Sequence, residues 1–133
     1  MGAFSNTPAL VSGGTIRPHR FVVSSTGADN TGLEASNATA AVVGVSDGST
    51  RRFDSANHAV SGDPINLQGG DVVLVECNGN ITRGSMVQSH TDGTAVVAGT
   101  STGLFYQGYV ALESGAAGRI IRIQRVAGFA RYA

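Results

Sequence analysis

The segment Gly44-Val45-Ser46-Asp47-Gly48 carries the one pattern in this chain that is associated with covalent catalysis. It fits G-x-S-x-G, the turn that presents a nucleophilic serine in α/β hydrolases, with Asp63 or Asp71 and then His90 in the matching chain order. That turn needs a helix directly behind the serine, so that helix N–H groups can hold an oxyanion. Only a short helical pattern follows Ser46. The motif therefore predicts a glycine-rich turn, and we expect no catalytic residue.

Side chains that bind metals or react as thiols are isolated from one another along the sequence. His19, His58 and His90 lie far apart, whereas zinc needs three or four converging ligands. Cys77 ends an apolar strand pattern and has no Arg or His within two positions, so nothing local lowers its thiol pKa. We expect Cys77 to be a small core residue, and we expect no metal and no cofactor.

Charge is sparse and balanced in this chain of 133 residues: 9 basic residues, all Arg, face 9 acids, for a net charge of zero. This balance argues against direct nucleic-acid binding, which depends on phosphate neutralisation, and against attraction to an anionic membrane. No apolar run reaches the roughly 18 residues of a membrane span. The arginines form no single basic patch, which leaves them as solvated surface or as partners for acids on a neighbouring protein.

The elements that must position these residues are strands. Val is far commoner than Leu, and 19 Gly provide frequent turns. The strongest signal, residues 71–76, is nearly all apolar, as in a strand buried on both faces, and it ends at the hairpin-type pair Asn78-Gly79. The only helical candidate is 49–60, with Phe53, Ala56 and Val60 at helical spacing. About seven or eight short strands predict an all-β sandwich or barrel.

The chain divides into an extended N-terminal arm over residues 1–14, a single β-rich domain over 15–126 and a tail over 127–133. The arm is small and polar apart from Phe4, Leu10 and Val11. These bulky residues suggest an arm that docks on a neighbour, for example by adding to the edge of its sheet. A frayed terminus is the alternative.

The sequence contains a weak internal repeat. Gly14-x-Ile16 followed by Phe21-Val22 matches Gly79-x-Ile81 followed by Met86-Val87, about 65 residues further on. This period is too long for a solenoid repeat and suggests two similar β units folded onto one core. Chance similarity between Gly- and Val-rich strands is the alternative.

The order of the turn and strand motifs resembles that of small capsid cement, or head decoration, proteins of tailed bacteriophages. The resemblance covers most of the chain from Gly14 to Ile123. The segments that carry it are 14–22, 43–48, 62–68 with 71–76, 79–85 with Asp92-Gly93, and 110–121.

This resemblance implies a non-enzymatic protein on the outer surface of an icosahedral head, with a compact β-barrel or β-tulip core. It implies a homotrimer that binds the major capsid protein, bridges its subunits and stabilises the shell against the pressure of packaged DNA. The contact candidates are bulky residues of the arm and dispersed arginines: Phe4, Leu10, Val11, Arg17, Arg20, Arg51, Arg52 and Arg122. Together with the apolar residues on both faces of 119–126, the resemblance implies that the C-terminal strands contribute to the trimer interface.

Two other classes remain open. A carbohydrate-binding β-sandwich needs aromatic platforms, yet Trp is absent and Tyr106, Tyr109 and Tyr132 are few. A small trimeric β-rich hydrolase would place Ser46 or a carboxylate at a subunit boundary, and activity assays with a Ser46→Ala control would reveal it.

Overall fold

The fold comes from a computed structural model that describes residues 10–36, 42–48, 58–98, 103–106, 108–126 and 129–132. These residues form strands and no helix, which confirms the all-β expectation. Nearly all of the helical candidate 49–60 lies outside the described residues, and at its described end Ala59 makes a β-bridge. The strands are β1 (Leu10–Ser12), β2 (Phe21–Ser24), β3 (Thr31–Glu34), β4 (Val42–Val45), β5 (Pro64–Ile65), β6 (Val72–Glu76), β7 (Met86–Ser89), β8 (Ala95–Val97), β9 (Gly103–Tyr106), β10 (Tyr109–Ala111), β11 (Ile120–Arg125) and β12 (Phe129–Tyr132).

Ten of these strands form two five-stranded sheets with the orders β4-β2-β3-β1-β5 and β6-β11-β10-β7-β8, and β9 pairs with β12 in a separate two-stranded sheet. The five-stranded sheets pack as a rough sandwich, and neither is closed into a barrel. Strands outnumber the expectation because several have only two or three residues, too few for an alternating pattern. Residues 10–12 of the expected arm form β1, which pairs with β3 and β5. Residues 1–9 lie outside the described part.

The two large sheets repeat one strand plan, which we call unit 1 (residues 10–68) and unit 2 (residues 72–126). Strands β1 to β5 correspond in order to β6, β7, β8, β10 and β11. The antiparallel pair Leu10↔Ile65 recurs as Val75↔Ile121, and Phe21↔Val45 recurs as Met86↔Val110. The parallel pair Ser12↔Gly32 recurs as the bridge Cys77↔Ala95. The internal repeat in the sequence therefore corresponds to a structural duplication.

The turns repeat as well as the strands. The antiparallel bridge Ile16↔Ala59 in unit 1 recurs as Ile81↔Gly115 in unit 2. A tight turn follows each of these residues, and it has a positive φ at His19 and Gly62 in unit 1 and at Gly84 and Gly118 in unit 2. Three of these four turns use Gly, which adopts positive φ without a steric penalty, and His19 is the exception at φ 59°.

Each unit buries equivalent apolar positions inside its curled sheet. Ile16, Val22, Ala59 and Ile65 form the interior of unit 1, with Leu10 and Leu67 packed against them. The equivalent positions of unit 2 are the buried Ile81, Val87 and Ile121 and the half-buried Gly115. Each fully buried Val or Ile contributes about 1.5–3 kcal/mol from the hydrophobic effect. The duplicated pattern of apolar residues thus specifies both interiors.

The two buried clusters of the molecule meet at β2, which is buried on both faces. Val22 points into unit 1, whereas Phe21 belongs to the cluster of unit 2 and lies 5.4 Å from the ring of Tyr109, centroid to centroid. Val42 and Val45 of β4 join Phe21 in this cluster. The Phe21 N–H also donates to the Gly93 carbonyl at 2.8 Å. The outer face of unit 1 therefore closes the interior of unit 2.

Candidate functional site

Among the described residues, the densest group of charged side chains lies where the two units meet. We call it the junction cluster: Arg17, Arg20, Glu34, Glu76 and Asp92. Arg17 binds Glu34 with two guanidinium nitrogens, Nη2 to Oε1 at 2.6 Å and Nε to Oε2 at 3.2 Å. The Arg17 backbone N–H also donates to Glu34 Oε2 at 2.9 Å. This two-pronged geometry fixes the chain just before β2 against β3.

Arg20 connects unit 1 to unit 2. Its side chain is only 8% exposed, and its Nη1 donates to the backbone carbonyl of Asp92 at 2.9 Å. Its Nη2 lies 3.4 Å from Glu76 Oε2, and Nη1 lies 4.0 Å from Asp92 Oδ2. A buried arginine is stable only with such partners, so Arg20 acts as an internal clamp between the units.

The junction cluster shifts the pKa of two of its members. The hydrogen bond to Glu34 raises the pKa of Arg17 above its ordinary value, despite an opposing effect of burial. Burial alone would raise the pKa of Asp92, but hydrogen bonds from the Thr94 hydroxyl and N–H, together with the charge of Arg20, hold it below its ordinary value. Both shifts favour the charged forms, as expected of ion pairs that stabilise the fold.

Ser46 occupies a structural position. It is fully buried, its hydroxyl donates to the Arg17 carbonyl at 2.6 Å, and it accepts from the Arg20 N–H at 3.1 Å. A nucleophile has to be accessible to a substrate, whereas this hydroxyl is committed to two backbone groups. The geometry supports the interpretation of 44–48 as a strand end and turn, and it argues against the hydrolase alternative at Ser46.

Cys77 is buried and unpaired by any disulfide, which confirms it as a small core residue. Burial is the main cause that raises the pKa of its thiol, so the reactive thiolate is disfavoured. Across the described parts of the chain, no group of three or more His, Cys, Asp or Glu is placed to hold a metal ion. Nor does any helix in those parts have the length and apolar character to cross a membrane.

The contact candidates from the sequence are dispersed over the molecule. Val11 is 42% exposed on β1, and Arg122 is 65% exposed and pairs with Glu113 at 3.2 Å. Arg17 is partly exposed but engaged by Glu34. Leu10 packs against the interior of unit 1, and Arg20 is buried in the junction cluster. Phe4, Arg51 and Arg52 lie outside the described residues.

Sequence reasoning missed an exposed apolar strip on the outer face of unit 2. The nearly all-apolar strand β6 was expected to be buried on both faces, and that expectation is wrong: Val73 and Val75 are buried, but Val72 and Leu74 are exposed. Ile120 on β11 and Leu112 after β10 continue the exposed surface. We define the strip as Val72, Leu74, Leu112 and Ile120.

A duplicated five-stranded unit, joined at the junction by Arg20, defines a rough β-sandwich with an exposed apolar strip on unit 2. No family model and no curated protein matches the sequence. Among solved structures, the fold is similar to the head fiber gp8.5 N base of bacteriophage phi29, with a TM-score of 0.61 and 15% identity. The similarity covers 90% of this chain and 96% of that chain. It extends over both units.

Proposed function

We propose that this chain is a structural protein of a bacteriophage head, and that it acts as a capsid cement protein on the outer surface of the shell. The observation that carries the proposal is the fold similarity to a phage head fiber base over 90% of the chain. At 15% identity this similarity concerns the fold. The order of turn and strand motifs, which resembles that of decoration proteins, supports the same class of function independently.

The structure suits reinforcement of a shell. The outer face of unit 1 packs on the interior of unit 2, and Arg20 ties the two units together across the junction. A protein that binds assembled capsid subunits better than separated ones stabilises the assembled state by linkage. Many copies, each attached at several points, multiply modest contacts into a large total stabilisation.

The proposed partners are the major capsid protein and further copies of this chain in a homotrimer. Val11 and Arg122 are exposed in the described residues and are suitable contact residues. Phe4, Arg51 and Arg52 remain contact candidates from the sequence. In this proposal the protein has no catalytic role and binds no cofactor, nucleic acid or membrane.

The test compares heads that lack this protein with heads to which the purified protein has been added back. We expect deficient heads to assemble but to release packaged DNA at a lower temperature, and added protein to restore the release temperature. Electron microscopy of the restored particles should show the protein on the outer surface. Deficient heads that are as heat-stable as complete ones would contradict the proposal.

A matched variant keeps the test specific to surface contacts. Ser46→Ala is unsuitable because it removes two buried hydrogen bonds of the fold. Val11→Asp changes an exposed candidate on β1 and Val97→Asp changes a similarly exposed valine on β8, at 42% and 45% exposure. Loss of shell binding in Val11→Asp, with retention in Val97→Asp, would assign β1 to the capsid contact.

A further inference from the structure

The duplication provides an internal reference for the surface of unit 2. Asp47 and Asn66 of unit 1 are equivalent to Leu112 and Arg122 of unit 2: the Asp47 N–H donates to the Asn66 carbonyl at 3.0 Å, and the Leu112 N–H donates to the Arg122 carbonyl at 3.0 Å. Pro64 at the start of β5 is likewise equivalent to Ile120 at the start of β11. At one position of the strip the two units differ in polarity, because unit 1 has Asp47 where unit 2 exposes Leu112.

The exposed apolar side chains of the strip lie on the neighbouring strands β6 and β11 and on the residue that follows β10. Leu74 on β6 pairs with Arg122 on β11, whose carbonyl in turn accepts from Leu112. Val72, Leu74, Leu112 and Ile120 are 48%, 37%, 43% and 45% exposed, and they are four of the seven exposed large hydrophobics in the described chain. Single exposed apolar residues are ordinary, but four of them on one outer face mark an interaction surface.

The charges on the strip indicate which partner covers it. Arg122 and Glu113 are the charged residues among its apolar side chains, and they pair with each other at 3.2 Å. Glu76, opposite Ile120 at the margin, is engaged by Arg20. The charges of Arg122 and Glu113 among its apolar side chains therefore cancel within the chain. Such a surface is complementary to a copy of itself, because facing strips can exchange or retain these ion pairs without leaving a charge unpaired.

We propose that the strip is the contact between copies of this chain, with the strips of neighbouring copies packed together around a symmetry axis. This inference rests on the proposed function and deepens it by naming the face through which the copies associate. Val72, Leu74, Leu112 and Ile120 form the buried centre of this contact, and the Glu113–Arg122 pair lies among them.

The first experiment measures the mass of the isolated full-length protein by sedimentation over a range of concentrations. We expect the wild-type protein to associate. Leu74→Glu and Ile120→Glu should each weaken association about 100-fold or more, because each new carboxylate would be buried unpaired in the contact between copies. Val97→Glu is the matched control: Val97 is 45% exposed, like Ile120, but lies on β8 outside the strip. Thermal unfolding of each variant verifies that it is folded.

The second experiment distinguishes between two occupants of the strip: a second copy of this chain, or another protein with a charged contact surface. If strips face each other, Arg122→Glu and Glu113→Arg both weaken association, because each gives facing strips a like charge. The double variant restores a neutral strip and should restore association. For a partner of fixed charge, one single variant would strengthen binding and the other would weaken it.

Outcomes for this inference and for the proposed function are distinguishable. Two results would overturn the strip as the contact between copies. One is a wild-type protein that stays monomeric at every concentration, and the other is an Ile120→Glu variant that sediments with the same oligomeric mass as the wild type. Occupancy of added protein on deficient heads reports the proposed function separately. Unchanged self-association with lost occupancy in Ile120→Glu would overturn the inference and assign the strip to the shell.

Discussion

Gly93 lies in the turn between β7 and β8, where unit 2 touches unit 1. Its φ is +80°, and a Cβ added there would lie 2.8 Å from Glu34 Cγ and 3.2 Å from Arg20 Cβ. Gly118 has a similar φ of +85° but open space around it. We expect Gly118→Ala to cost about 1–2 kcal/mol from backbone strain. Gly93→Ala adds a steric penalty of about 1–3 kcal/mol.

Urea unfolding of the two glycine variants measures this difference. Both carry the same backbone penalty, so the excess loss in Gly93→Ala reports the close approach of the two units. Equal stabilities of the two variants would show that the junction relaxes without cost at this turn.

Asp92 provides a pH dependence with a definite sign. Its pKa in the folded protein is below the ordinary 3.8, so the charged form stabilises the fold above that pH. This contribution is lost as the pH falls from the unfolded value through the folded one. We expect Asp92→Asn to be less stable than wild type by up to about 1 kcal/mol at pH 7, since the side chain is 39% exposed. The difference should shrink toward pH 2 in urea titrations, and a difference independent of pH would exclude this role.

At the scale of elements, β2 matters most because it contributes to both cores. Phe21→Ala removes the side chain that packs on Tyr109, and we expect a loss of about 3–5 kcal/mol in unfolding free energy. Phe21→Leu should recover part of it, because the leucine refills much of the same space. Chemical denaturation of both variants measures this series. A loss under 1 kcal/mol for Phe21→Ala would mean that the two interiors do not depend on each other.

The strands themselves were largely predictable, whereas the layers that cover them were not. Val-rich, Gly-punctuated patterns predicted the all-β class and about seven or eight short strands, and they located β6 at residues 71–76. The repeated spacing of Ile16 and Ile81 also indicated a duplication. Alternation reports which residues share a face, but it does not report what packs on that face. For this reason Phe21 was not recognised as a junction residue, and β6 was expected to be buried on both sides.

Polar residues of the site show the same limit. Arg20 and Arg17 are close in sequence and of one type, yet one is buried and the other partly exposed. Their partners Glu34, Glu76 and Asp92 come from distant strands and turns, so no local spacing indicates them. The serine motif was correctly interpreted as a turn because its context lacked a helix, but its hydrogen bonds to the Arg17 and Arg20 backbone had no sequence signal.

For the whole molecule, the shared core predicts one cooperative unfolding transition. Phe21, Val42 and Val45 of unit 1 belong to the same buried cluster as Val73 and Tyr109 of unit 2, so neither unit can unfold without exposing the other. Calorimetry should give equal calorimetric and van't Hoff enthalpies, as for a two-state domain. Two resolved transitions would show that the units are independently stable.

The short connection between the units has a consequence for concentrated solutions. The side-chain amide of Gln68 binds both backbone groups of Leu74 in β6: its Nε2 donates to the carbonyl at 2.6 Å, and its Oε1 accepts from the N–H at 2.7 Å. Only a few residues around Gly69 and Gly70 therefore join the two units. Deleting Gly69 and Gly70 leaves too little chain for unit 1 to dock on the unit 2 that follows it. Unit 1 of one chain then docks on unit 2 of another, which gives a domain-swapped dimer with every native contact retained. Chromatography of the deletion variant should show this exchange, and dilution should not reverse it until the protein is unfolded.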